Sequence, residues 1–309
     1  MTIVYHIPVL LEESLSGLNI NPDGTYVDVT FGGGGHSRAI LDRLSKRGRL
    51  IAFDQDKDAL ENAPKDKRFT LIHNNFRFLA PCLRAAGFDK VDGVLGDLGV
   101  SSHHFDTPER GFSFRFGDEP LDMRMNQNGV LSAKEVVNDY EIERLAVILG
   151  RYGELNKPFK LAKLIEAARP MVSCAELCTA VEAAIPNNAR TKTLSKLFQA
   201  IRIEVNGEML ALEMMLEGAK SVLSSGGRLS IISYHSLEDR LVKNFMRSGN
   251  FTGEVQQDFF GKTLSPFNLI SRKAIAPSAE EQAQNSRSRS AKLRVAELRG
   301  LLKVDPTKI

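Results

Sequence analysis

The stretch TYVDVTFGGGGHS, Thr25 to Ser37, decides how the rest of the chain is read. Tyr26, Val27, Val29 and Phe31 are β-branched or aromatic and come in a short run, as a buried strand should. Four glycines follow, Gly32 to Gly35, and then Ser37, Ala39, Ile40, Leu41 and Leu44 take up helical spacing. Strand, glycine turn and helix open a βαβ unit, and glycine at the turn lets a ligand approach the backbone closely. The next strand, Leu50 to Phe53, ends in Asp54, nineteen residues past Gly35. An acidic side chain at that place accepts hydrogen bonds from the hydroxyls of a ribose. The spacing predicts a nucleoside-cofactor site, against the plainer alternative of a tight structural turn.

A dinucleotide fingerprint counted from Gly33 and Gly35 needs a third glycine where Arg38 stands. No G-x-x-x-x-G-K-[ST] occurs, which counts against a phosphate-cradling loop. The pattern Asp28-x-Thr30-x-Gly32-x-Gly34-Gly35 is similar to the first motif of S-adenosylmethionine-dependent methyltransferases.

The chain of 309 residues has room for one large domain or two. It holds no run of 18 apolar residues and no charged-then-apolar leader, so a cytoplasmic location is expected, with no membrane partner. Cys82, Cys174 and Cys178 form no C-x-x-C and no second pair, so reduced thiols and no metal site are expected. The net charge of +3 hides an asymmetry. Residues 151–202 and 271–309 each carry nine Lys/Arg against four Asp/Glu, together +10, which leaves −7 for the rest. Two basic segments on an acidic body fit a polyanion held at particular places, or solvated helix faces.

In chain order, Tyr5 to Glu13 gives an X-Pro entry into a short helix, with His6 before it. Phe69 to His73 reads as a third strand, and Phe76 beyond it is either an adenine-stacking ring or a core aromatic. Val91 to Leu95 is a fourth, followed by Asp97-Leu98-Gly99-Val100-Ser101-Ser102, an acid where open α/β sheets place their active sites. From His103 the βα rhythm stops. Ser132-x-x-Glu135 is a capping box, and helical periodicity continues to Arg202, with Thr193 to Gly218 reading as one long helix. An all-helical block inside an α/β chain points to an inserted domain. The rhythm returns at Gly226-Gly227 with strand Arg228 to Ser233, then Tyr234-His235-Ser236-Leu237-Glu238-Asp239-Arg240. His235 there is either a catalytic base or a histidine held by its neighbours. Phe267 to Lys273 and Ser290 to Leu298 alternate as strands, joined by a polar linker ending Asn285-Ser286-Arg287-Ser288-Arg289, and the last residues read as a loose tail.

Taken together, the sequence resembles the bacterial small-subunit ribosomal RNA (cytosine-N4) methyltransferases, the RsmH (MraW) family. The matching pieces run in order: His6-x-Pro8-Val9-Leu10-Leu11, Asp28 to Ser37, Asp97 to Ser102, Arg110 to Phe114, Leu121 to Met125, Phe198 to Ile203, Gly226 to Ser233, His235 to Arg240 and Arg287 to Arg294. Three departures stand out. Gly33 replaces an arginine, Thr193-Leu194-Ser195-Lys196 replaces Pro-Ala-Thr-Arg, and Asn285-Ser286-Arg287 replaces Asn-Pro-Arg. The resemblance implies a class I (Rossmann-like) methyltransferase sheet, residues 1–107 and 200–309, with an inserted helical domain at 108–199 for RNA recognition. It implies S-adenosylmethionine bound through Gly34, Gly35, His36, Asp54, Phe76 and Asp97, with His104 where the family usually has glutamine. The reaction implied is methylation of the exocyclic N4 of a cytidine in the decoding region of the small ribosomal subunit. Asp97, or a backbone carbonyl in residues 97–100, is the candidate acceptor on the amino group, and His235 the second catalytic candidate. Arg110 and Arg124 line the RNA entrance or brace the insert, and Arg287 and Arg289 grip RNA or anchor their linker to Glu238 or Asp239. A nicotinamide dehydrogenase and a non-catalytic RNA-binding protein are the rival classes. Monomer and homodimer both remain open.

Overall fold

The computed structural model describes residues 8–300, except Phe116, Lys262 and Thr263 and the side chains of Ser102 and His103. His6, the entry before Pro8 and the tail after residue 300 lie outside the described residues. The strands are β1 (Thr25–Asp28), β2 (Arg49–Asp54), β3 (Phe69–His73), β4 (Val91–Asp97), β5 (Leu223–Ser233), β6 (Phe267–Leu269) and β7 (Lys292–Leu298). They form one sheet in the order β3-β2-β1-β4-β5-β7-β6. Neighbours from β3 to β5 pair in parallel, while β7 is antiparallel to both β5 and β6. This is a class I, Rossmann-like sheet.

Its central strands are continuous apolar runs because both faces are covered; Val27, Ile51, Val94 and Ile231 are all wholly buried. The chain winds outward from β1 in both directions, to β2 on one side and β4 on the other. Strand order therefore reverses at β1, and such a reversal opens a crevice at the carboxyl ends of the strands.

The chain divides into two compact units, 1–99 with 210–309, and 100–209. The second unit extends beyond the 108–199 expected because Val100, Phe105, Ala200, Ile201 and Val205 pack into its core. It is helical: Ala133–Asp139, Ile142–Arg151, Pro158–Ala167, Cys174–Glu182 and Arg190–Asn206 surround Val136, Leu145, Leu149, Ile165, Leu177 and Leu197. Ser132 with Glu135 and Ser173 with Glu176 form capping boxes that satisfy the first amides of two of these helices.

Three expectations need correction. The strand read over Phe267 to Lys273 is only β6, Phe267–Leu269. The helix read over Thr193 to Gly218 is two helices, Arg190–Asn206 and Glu208–Val222, because Gly207 at φ 58° ends the first in the left-handed region. The polar linker after β6 contains the short helix Ala279–Gln284, started by the Ser278 side chain accepting from the Glu281 amide.

Helix Ser236–Ser248 follows β5 and is tied to β7 through Asp239. That carboxylate accepts from Arg294 Nε at 2.7 Å and Lys292 Nζ at 3.4 Å. Burial pushes the Asp239 carboxyl up, but the two cations outweigh it and hold the group below its ordinary range. A carboxyl depressed in the folded state adds stability above its unfolded pKa, and that stability is lost as pH falls through the folded value. Asp239→Asn should therefore cost about 1–3 kcal/mol at neutral pH. In urea unfolding, the gap from the parent protein should narrow progressively below about pH 4. A gap that stays constant into acid would rule out the charge pairing as its source.

Candidate active site

The candidate site is built on the carboxyl ends of β1, β2, β4 and β5. At the end of β1 the buried Asp28 accepts from the Ser37 hydroxyl at 2.7 Å and the Thr30 amide at 3.0 Å. These bonds fold the chain back into the glycine loop. Gly32 and Gly34 lie at φ +50° and +75°, where glycine is favoured, and no atom lies within 4 Å of where a Gly32 side chain would begin. The loop thus keeps open space beside its backbone. Its outer side is clamped: Arg38 donates to the carbonyls of Gly33 and Asn62, and Asn62 donates to that of Gly32.

Asp54 ends β2. Its Oδ2 accepts the Gly32 amide at 2.8 Å and its Oδ1 the Asp56 amide at 2.8 Å. A carboxylate accepts at about four positions, which is the chemistry that a pair of ribose hydroxyls calls for. Beyond β3, Asn75 caps the short turn Phe76–Phe78 and donates to Gln55 Oε1 at 2.6 Å, which joins the loops after β2 and β3 and fixes the half-buried Phe76 near Asp54 in the chain's layout. Open space at Gly32, a carboxylate on β2 and an aromatic past β3 fit an adenosyl group, while a side chain at Gly34 or Gly35 would collide with Phe31 or Pro8.

Asp97 ends β4, and its amide donates to Thr30 Oγ1 at 2.7 Å. Its Oδ1 accepts from the Tyr234 hydroxyl at 2.7 Å, and its Oδ2 lies 3.9 Å from His36 Nδ1. The other His36 nitrogen lies 3.1 Å from the Val9 carbonyl. Tyr234 was not singled out by the sequence; the available signal was an aromatic directly after β5. Burial first, and then the Asp97 carboxylate, push its phenol well above the ordinary range, so it stays a neutral donor.

The remaining candidates fall elsewhere. His235 caps helix Ser236–Ser248: its Nδ1 accepts the Glu238 amide at 3.4 Å, and Glu238 Oε2 accepts the Tyr234 and His235 amides. One ring nitrogen is spent on the helix start, and the other, Nε2, lies 3.3 Å from Glu238 Oε1. His104 belongs to the helical unit, buried, with Nδ1 3.3 Å from Ser101 Oγ and its ring 4.7 Å from that of Phe112. Arg110 is buried and donates to the carbonyls of Arg124 and Met125. Arg124 grips Asp122 with two nitrogens and donates to the Gly129 carbonyl at 2.7 Å. Both guanidiniums expected at RNA are thus turned to bracing the helical unit. Arg287 and Arg289 sit in the turn Ser286–Ser290, just before β7. Since Lys292 pairs with Ser233, that turn lies at the edge where β5 ends. Arg289 is exposed and Arg287 half-buried; of the two acids weighed as their anchor, Asp239 is held by Lys292 and Arg294, and Glu238 accepts the Tyr234 and His235 amides.

A class I sheet with this loop and these acidic strand ends defines an S-adenosylmethionine-dependent methyltransferase. The profile of the MraW methylase family matches residues 3–299, and the chain belongs to that family. It is 54% identical over 296 residues to a Bacteroides fragilis protein named ribosomal RNA small subunit methyltransferase H, covering 95% of this chain and 97% of that one. The protein of the same name from Flavobacterium johnsoniae is 54% identical over 299 residues, covering 96% and 98%. A solved rRNA methylase from Streptococcus thermophilus aligns over 97% of this chain and 100% of its own at 14% identity, with a TM-score of 0.40. Family membership makes S-adenosylmethionine the methyl donor. Among the described residues no helix is long and apolar enough to cross a membrane.

Replacing Asp54 by alanine removes a charged acceptor and releases the Gly32 amide. Calorimetric affinity for S-adenosylmethionine should fall about tenfold to a hundredfold, from charge-assisted bonds worth roughly 1.5–3 kcal/mol. A folded Asp54→Ala protein that binds as the parent does would take this carboxylate out of the cofactor site.

Proposed function

We propose that the protein transfers a methyl group from S-adenosylmethionine to the exocyclic N4 of a cytidine in the decoding region of small-subunit ribosomal RNA. The proposal is carried by 54% identity, over nearly the whole of both chains, to relatives named as methyltransferases of that RNA. The placement of Asp97 at the end of β4 supports the choice of an amino group.

When bound, the cofactor supplies an electrophilic methyl on a sulfonium whose leaving group is a neutral thioether. The amino lone pair of cytosine is delocalised into the ring and is a poor nucleophile. The protein's task is therefore to align nitrogen with the methyl and to accept the amino hydrogens. Gly34, Gly35, His36, Asp54 and Phe76 hold the donor in this scheme, and Asp97 faces the amino group. The base has to leave its stack to reach Asp97, which is easiest in single-stranded or looped RNA. Arg287 and Arg289, at the same strand edge, are the arginines placed to grip phosphates or stack on an unpaired base. The exposed Lys157, Lys160, Lys163, Arg190 and Lys192 of the helical unit add a basic surface.

Incubation with labelled cofactor and small ribosomal subunits, followed by mapping of the label, tests the reaction. Label on the amino nitrogen of one cytidine is expected; label on another base, or none, overturns the assignment. The arginines have their own test. With both changed to alanine, RNA affinity should drop while cofactor affinity and melting temperature hold. For two single-strand phosphate contacts the slope of log affinity against log salt should flatten by roughly 1.4. An early-melting double variant with its salt slope intact would instead make the pair a brace of the linker.

A further inference from the structure

Tyr234 has no part in the scheme above, yet its hydroxyl is bonded directly to Asp97. We propose that Tyr234 is a positioning residue for methyl transfer: it fixes the Asp97 carboxylate in one orientation and holds it as an anionic acceptor for the amino group. This rests on Asp97 being the acceptor in the proposed reaction.

The contact is built from several sides. The Asp97 amide is anchored to Thr30 Oγ1, and the next amide, of Leu98, donates to the Ile232 carbonyl on β5 at 2.9 Å. Main chain on both sides of the carboxylate is therefore fixed, and its side-chain torsions are what remain to be set. The 2.7 Å bond from the tyrosine holds one of its two oxygens, Oδ1, in place. The tyrosine in turn is held by its own amide, which donates to Glu238 Oε2 at 2.9 Å. Its ring lies against Gly99, at φ +98°, where a side chain would be strained and its Cβ would touch the ring at 3.4 Å. Glycine at 99 thus leaves the ring its place.

The chemistry gives the bond a use. As the N–C bond forms and the C–S bond breaks, its electron pair leaving with sulfur, the nitrogen must shed one proton. Asp97 accepts that amino hydrogen and passes it to water. A carboxylate does this only while ionised, since a protonated oxygen is itself a donor. A phenol that stays neutral donates to the anion and favours it over the acid. The titratable groups around the pair are His36, 3.9 Å from Oδ2, with Glu238 and Glu281 acting on the tyrosine from helices Ser236–Ser248 and Ala279–Gln284. Both glutamates oppose loss of the phenolic proton and so keep it a donor.

The test uses the full-length protein with cofactor bound, as parent, Tyr234→Phe, Asp97→Asn and the double variant. Carbon NMR of the Asp97 carboxyl is followed against pH with no RNA present, and single-turnover methylation of small subunits is measured at saturating cofactor. Tyr234→Phe keeps the ring against Gly99 and removes the hydroxyl. The Asp97 midpoint should move to higher pH, and the turnover rate should fall roughly tenfold with its acidic limb displaced the same way. Cofactor affinity should stay within about twofold, and adding the phenylalanine to Asp97→Asn should cost little more. An unmoved Asp97 midpoint overturns the proposal whether or not RNA is methylated. A moved midpoint in a protein that methylates no subunit leaves the tyrosine's role standing and overturns the substrate instead. If Tyr234→Phe melts early, 3-fluorotyrosine at 234 supplies a stronger donor in the same shape. It should move the midpoint to lower pH, and no movement would assign the hydroxyl to packing.

Discussion

The catalytic edge depends on how one buried carboxylate is satisfied. Asp28 is 1% exposed, and polar oxygens at that depth are tolerated only with hydrogen-bond partners in place. Its donors are the Thr30 amide and the Ser37 hydroxyl, so the chain leaving β1 must turn back at once and must start a helix within reach. Thr30 then acts in both directions. Its hydroxyl lies 3.4 Å from Asp28 Oδ1 as donor and accepts the Asp97 amide from the neighbouring strand. One hydrogen-bond net therefore fixes the glycine loop, the first helix after it and the acid on β4 as a single piece.

Much of this was legible in sequence because it is local. Short β-branched runs marked β1 to β4, and acids directly after them marked Asp54 and Asp97, since strand ends of a parallel sheet share one edge. The helical insert showed as a loss of βα alternation. What stayed hidden depends on partners distant in the chain or on the direction of a side chain. Tyr234 and Asp97 are 137 positions apart, and nothing near either announces the other. Arg110 and Arg124 look like RNA contacts in a motif full of arginine and aromatics, but charge does not reveal that their guanidiniums point at carbonyls and at Asp122. His235 has the pattern of a base and the geometry of a cap, a position usually filled by serine, threonine, aspartate or asparagine. At Gly207 the apolar periodicity on both sides concealed a break that one glycine makes.

The same inward use of charge tempers the basic segment 151–202. Arg169 donates to the carbonyls of Val137 and Tyr140, and Arg202 pairs with Glu208, both members of that pair largely buried. Lys196 donates to the Glu154 carbonyl. Counting residues overstated the field the helical unit presents to a polyanion; Arg151, Lys157, Lys160, Lys163 and Lys192 stay exposed, while the exposed Arg190 pairs with Glu182 at 3.0 Å. Steering by such a patch is long-ranged at low salt and short at physiological salt.

The position of β7 has a consequence for how the protein is made. It lies between β5 and β6, yet of the described strands it is the last to leave the ribosome, and among the described residues β6 pairs with no strand but β7. Throughout translation of residues 234–291 the outer edge of β5, Arg228 to Ser233, has its backbone amides and carbonyls unclaimed, while β6 has nowhere to dock. Closure of the sheet then waits on a seven-residue segment arriving between two others, a non-local insertion that is slow in folding terms. Nascent chains stalled before Lys292 would carry an open, apolar strand edge, the feature that recruits foreign strands and chaperones.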